Sequence, residues 1–210
     1  MSKVFFSVTM SLDGFLAPES RYDDVGDKRF WAQWLALQQY VLEQKFFRER
    51  LKLGEGGLTG EDNRILEQLV ERTGSSILGK RMFDLGERTW PAEAPFATDI
   101  FVLTHAVREP WVRPGGTTFF FVNDGLQSAL AKAKASAGEK DVRIGGGAHV
   151  IRAYLQAGLV DEFQLAVAPV FFGCGESLFG GLDLSAVGLE LQRAVNSPKV
   201  THLFYGVKGR

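Results

Sequence analysis

Three consecutive glycines, Gly145, Gly146 and Gly147, join a short β-type run, Asp141 to Ile144, to an amphipathic helical stretch from His149 to Ala157. A strand that ends in glycines and opens a helix belongs to folds in which strands and helices alternate. It also presents bare backbone N–H groups at the positive end of a helix dipole, a site for phosphate or pyrophosphate. Glycine suits that turn because it adopts positive φ cheaply and lets a ligand approach the backbone. A tight connection with no ligand uses the same residues, so the rest of the chain has to arbitrate.

The alternation continues on both sides. Val4 to Val8 reads as a first strand, Asp13-Gly14 as a turn, and Phe15-Leu16-Ala17 runs on to Pro18. Phe30, Trp34, Leu37, Val41 and Leu42 have helical spacing, and Gly54 to Gly57 breaks it. Residues 20–60 therefore read as a helical insertion in a single domain. A helix from Asp62 to Arg72 follows, with Thr59 or Asp62 as its cap. Ser75 to Leu78, Ile100 to Thr104 and Thr117 to Val122 are strand candidates; Lys80 to Leu85 opens one helix, and Asp124 caps another through Ala137. Glu162 to Val170 is a longer strand. Leu189 to Asn196 and Thr201 to Val207 form a hairpin turned at Ser197-Pro198. The expected architecture is an α/β sandwich with a mixed sheet ending in an antiparallel pair.

Composition excludes several classes. The 210 residues are 45% hydrophobic and 23% charged, with a formal net charge of -1, which gives no electrostatic case for nucleic acid or an anionic membrane as partner. No run approaches the ~20 apolar residues of a membrane helix. Cys174 is the single cysteine, so an intrachain disulfide is impossible and a cytoplasmic location is the simplest expectation. It reads as a small packed residue. His105, His149 and His202 lack ligand spacing, so no metal site is expected.

Two further segments suit phosphate chemistry. Gly79-Lys80-Arg81 follows the strand Ser76-Ile77-Leu78, where ligands collect in α/β sheets; a solvated helix start is the other reading. Thr104 and His105 end another strand, either plainly or against a ribose or its phosphate. Three such strand ends at one edge fit a dinucleotide lying across the sheet. The Rossmann spacing is absent after the first strand, and Gly173-Cys174-Gly175-Glu176 reads as a turn. Trp31 and Trp34 either pack the inserted helix or wall a planar substrate. Phe171, Phe172 and Phe179 are core or dimer-interface residues.

The segments Ile77 to Asp84 and Ile144 to Gly147 resemble the NADPH-binding segments of dihydrofolate reductases. Ser7 to Phe15, Gly158 to Phe163 and Ala168 to Gly173 resemble the reductase domain at the C-terminus of the bifunctional riboflavin-biosynthesis deaminase-reductase and its stand-alone relatives. The resemblance spans nearly the whole chain except residues 20–60. It implies a dihydrofolate reductase-like three-layer sandwich with a mixed, mostly parallel sheet and a C-terminal antiparallel hairpin. It implies NADPH as cofactor, held by Gly79, Lys80, Arg81, Thr104, His105, Gly145, Gly146 and Gly147. It implies a homodimer, and hydride transfer to a small heterocyclic or ribosylamino-pyrimidine-type substrate. A dihydrofolate or pteridine reductase is the alternative on the same scaffold; a non-catalytic nucleotide-binding or oligomeric interaction protein is the alternative of another class. The zinc deaminase half is excluded by the single cysteine. By the same resemblance the proton donor is a carboxylate on the helix before Gly79, which points to Asp62; Asp13, at the end of the first strand, is the other carboxylate near the cleft.

Overall fold

The computed structural model describes residues 2–19, 27–183 and 187–208. Its chain runs β1 (Val4–Ser11), β2 (Phe15–Pro18), α1 (Lys28–Leu42), α2 (Lys45–Arg50), α3 (Glu61–Arg72), β3 (Thr73–Gly79), α4 (Lys80–Thr89), β4 (Asp99–Leu103), β5 (Trp111–Arg113), β6 (Thr117–Val122), α5 (Leu126–Ala137), β7 (Asp141–Gly146), α6 (Ala148–Gln156), β8 (Glu162–Ala168), β9 (Gly175–Ser177), β10 (Gly188–Asn196) and β11 (Thr201–Lys208). Among the described residues the main sheet has nine strands in the order β10-β11-β8-β1-β7-β3-β4-β6-β5, and β2 pairs with β9 apart from it. Strands β8, β1, β7, β3, β4 and β6 are parallel. The β10–β11 hairpin enters antiparallel to β8, and β5 closes the far edge antiparallel to β6. This is the expected mixed three-layer sandwich with its C-terminal hairpin.

Alternation along the central strands explains the layers. Val4 and Phe6 of β1, Ile77 of β3, Val142 and Ile144 of β7, and Leu165 of β8 point to one face, where they meet Ala129, Ala133, Ile151 and Tyr154 of α5 and α6. The intervening residues Ser7, Thr9, Arg143 and Gln164 point to the opposite face, under α1 and α3. That face is built differently. Leu37, Tyr40 and Val41 pack on Ala166 and Ala168, while polar side chains fill the space beside them.

A third cluster holds α4 in place. Phe83 is fully buried with its ring centroid 5.2 Å from both Phe119 and Phe121, 6.0 Å from Trp90 and 6.1 Å from Trp111. Gly86 lies directly under the Trp90 ring, where any Cβ would overlap it. That contact accounts for a glycine inside a helix, despite its cost of about 1 kcal/mol relative to alanine.

Several local expectations are corrected. The N-cap of α3 is Gly60, not Thr59 or Asp62, and no side chain caps it; Asp62 lies inside the first turn. The N-cap of α5 is Gly125, so Asp124 lies one residue before it. Cys174 is exposed rather than packed. The turn expected at residues 173–176 gives way at Gly175 to β9, which pairs with β2. The expected insertion holds two helices, α1 and α2; its residues 20–26 lie outside the described residues.

Candidate active site

Strands β7, β3 and β4 are neighbours, so the three segments singled out by sequence end at one sheet edge. Gly79 pairs with Leu103, placing Thr104 one residue beyond it. A Cβ on Gly79 would lie 2.8 Å from Val150 Cγ2 and 3.7 Å from both Gly146 O and Gly147 N, so the two glycine segments touch. A Cβ on Gly145 would meet Leu78 Cδ2 at 2.6 Å, so a larger residue there requires the buried Leu78 side chain to shift. Gly146 and Gly147 differ: a Cβ on either meets nothing within 4 Å. Gly146 has φ +117, and the Gly146–Gly147 peptide is cis. Their outer side is open space beside the N-termini of α4 and α6, whose N-caps Gly79 and Gly147 provide no side-chain cap. The first N–H groups of a helix lack intrahelical partners, and uncapped they are donors for an anion.

The charged residues at this edge are arranged in pairs. Lys80 Nζ lies 2.7 Å from Asp84 Oδ2 on the next turn of α4. Arg81 Nη2 and Arg152 Nη2 approach the two oxygens of Glu176 on β9, at 3.8 and 3.7 Å. The β2–β9 ribbon is thereby tied to the helices that open at the edge. Thr104 Oγ1 accepts from the N–H of Ala106 at 3.1 Å, and His105 is exposed. Arg152 and Glu176 were not legible in the sequence, because nothing in their local spacing marks them.

Beneath α1 and α3 a chain of buried polar side chains crosses the sheet. Asp62 Oδ1 lies 2.6 Å from His202 Nε2. His202 Nδ1 lies 2.7 Å from Gln164 Nε2, and Gln164 Oε1 accepts from the Ser7 hydroxyl. These contacts are mutually consistent for a neutral imidazole that donates from Nε2 to the carboxylate and accepts at Nδ1. Burial lowers the His202 pKa, and the hydrogen bond to Asp62 only partly opposes it. Next to this chain, Tyr40 and Gln38 meet the Thr9 hydroxyl at 3.4 and 3.2 Å. Burial pushes the Tyr40 phenol up to about 12. Burial also pushes Arg143 down to about 10, where it donates to Ser7 O at 3.2 Å.

The Asp62 charge acts on the Tyr40 phenol, which in turn meets Thr9 of β1. Asp13 is placed in a loop clasp, accepting from the Ser11 hydroxyl at 2.6 Å and from the N–H groups of Phe172 and Gly173 at 3.1 and 2.7 Å. What burial adds to its pKa is outweighed by these donors, which hold it below the usual carboxylate value. Trp31 and Trp34 are half-buried on α1, edge to face with centroids 5.7 Å apart. Trp34 is one turn before Gln38, so both lie on one side of α1. Among the described residues no group of three His, Cys, Asp or Glu side chains is placed to hold a metal ion. No described helix is long and apolar enough to cross a membrane.

A mixed, mostly parallel sheet flanked by helices on both faces and closed by an antiparallel hairpin defines the class: a dihydrofolate reductase-like α/β fold. Within that class the chain belongs to the RibD C-terminal domain family, whose sequence profile matches residues 2–203. Its fold is similar to that of a protein assigned to riboflavin biosynthesis in Shewanella sp. PV-4, with a TM-score of 0.69, 21% identity and 99% of both chains covered. It is also similar to dihydrofolate reductase from Enterococcus faecalis complexed with NADP(H), with a TM-score of 0.54, 17% identity, and coverage of 98% of this chain and 96% of that one. Acinetobacter baumannii RibD aligns with a TM-score of 0.61 and 17% identity, over 99% of this chain but 58% of the RibD chain. In sequence, 59 residues are 42% identical to uncharacterized protein YyaP of Bacillus subtilis (strain 168); that match spans 28% of this chain and 31% of YyaP.

Proposed function

We propose that this chain is an NADPH-dependent reductase that delivers hydride to a small heterocyclic or ribosylamino-pyrimidine-type substrate. The observation that carries the reading is the open side of Gly146 and Gly147 between two uncapped helix N-termini. The pyrophosphate of the cofactor lies there, with Gly79 and Gly145 packing the two strand ends together beneath it, and Lys80, Arg81, Thr104 and His105 reach its adenosine end. The NADP(H) complex of the E. faecalis reductase supports that choice of ligand. The bound nicotinamide supplies the hydride; the chain supplies binding, orientation and a proton. Trp31 and Trp34 on α1 wall the substrate, and Asp62, held by His202, takes up a proton from water in each cycle and passes it to the substrate. Asp13, held below the ordinary carboxylate pKa by its loop donors, stays ionised and orders the rim of the cleft.

Calorimetric titration with NADPH tests the reading. The wild type binds saturably. Gly147→Val, at an ordinary φ of -72, places a side chain in the open space and loses binding by more than about tenfold, with its thermal unfolding midpoint as the check on folding. Asp62→Asn keeps NADPH affinity while turnover on a reducible pyrimidine panel falls. A wild type with no saturable NADPH binding overturns the proposal.

A further inference from the structure

A cavity lies away from the glycine edge. It is a cleft of about 210 Å³ between the last two turns of α3 and the opposite half of the sheet. Its floor includes Ser7, four residues before the end of β1, or roughly 13 Å from the edge at ~3.3 Å per residue.

The walls carry two guanidinium groups stacked on aromatic rings. Arg72 lies 4.2 Å from the Phe5 ring centroid and Arg193 lies 4.1 Å from that of Phe204. Their charges are in different states. Arg72 pairs with Asp141 and Glu162 at 2.6 and 2.7 Å, and Lys3 also binds Glu162. Lys3 and Arg72 are therefore balanced by Asp141 and Glu162. Among the described residues Arg193 has no carboxylate partner, so it leaves one net positive charge at the cleft. The amides of Gln68 and Gln192 line the same space without a hydrogen-bond partner among the described residues. On the floor the Ser7 proton is committed to Gln164, so its oxygen offers only acceptor capacity.

We infer that this cleft binds a small planar monoanion, an aromatic or heteroaromatic carboxylate, distinct from the reductase's cofactor and substrate. Arg193 holds the carboxylate in its planar fork, the Gln68 and Gln192 amides donate to its remaining lone pairs, and the ring lies against the outer face of the Arg72 guanidinium, whose inner face covers Phe5. The volume is below the ~300 Å³ at which drug-sized sites begin, which limits the occupant to a single ring. One unbalanced positive charge matches a carboxylate rather than a doubly charged phosphate.

Fluorine NMR titration of the full chain with para-fluorobenzoate tests the inference, with para-fluorobenzamide as the neutral isostere. Saturable binding of the acid is expected, with the amide at least about tenfold weaker. Arg193→Gln, on an exposed strand, weakens the acid by about tenfold; Gln68→Trp, on the exposed side of α3, blocks the cleft and abolishes binding. NADPH leaves the fluorobenzoate signal in place. Absence of saturable binding, equal binding of acid and amide, persistence in both variants, or displacement by NADPH each overturns the inference. The first three outcomes leave the question of NADPH binding untouched, and displacement would place NADPH in this cleft instead of at the glycine edge.

Discussion

His202 is fully buried between Asp62 and Gln164, 140 residues from the first and 38 from the second. Because burial lowers its pKa, the native state binds fewer protons than the unfolded chain over the window just below the ordinary histidine value of ~6.5. Unfolding therefore becomes easier as pH falls through that window, and the stability due to a neutral His202 is present in full above it. Urea unfolding from about pH 7.5 to about pH 5.5 should show this slope. His202→Gln keeps a donor toward Asp62 but does not titrate, so its curve should be flatter and lower at the alkaline end. Parallel curves for the two proteins would assign the slope to other groups. The sequence pointed to Asp62 and placed it on the right helix, but its partner was hidden. A pair this distant along the chain is created only when β11 docks beside β8.

Legibility at the scale of elements followed length and period. The strands β1, β3, β4, β6, β7 and β8 were readable because each carries an apolar run or alternation bounded by turn residues. The three-residue strands β5 and β9 are too short for any period to register. The β2–β9 ribbon was missed for that reason, and with it Glu176 between Arg81 and Arg152. The position of α4 depends on packing that spacing alone does not reveal, because the rings around Phe83 come from three other parts of the chain. Phe83→Ala should cost about 3–5 kcal/mol, the range for a buried phenylalanine. Since α4 opens at Gly79, the same variant should weaken NADPH before it unfolds the sheet. Chemical denaturation and a cofactor titration on one preparation separate the two effects. A stability loss well under ~3 kcal/mol would mean that the surrounding rings collapse into the space.

At the scale of the molecule the two sheet edges are treated unequally. The β5 edge is three residues long and follows Pro110, which blunts it against further pairing. The β10 edge is nine residues long, and Leu189 and Leu191 are 47% and 54% exposed on it. Of the aromatics expected at a dimer interface, Phe172 and Phe179 pack against the chain's own core, while Phe171 is 70% exposed. A long edge with apolar side chains is a template for another strand, and a second copy of the same strand can pair with it about a two-fold axis. The chain is therefore expected to be a homodimer joined along β10. Light scattering across a concentration series should give twice the 23.2 kDa chain mass. Leu191→Lys adds an edge charge without touching the core and should shift the equilibrium to monomer with little change in unfolding midpoint. If the wild type is monomeric at every concentration, the edge is guarded by the bulge between Leu191 and Arg193 instead.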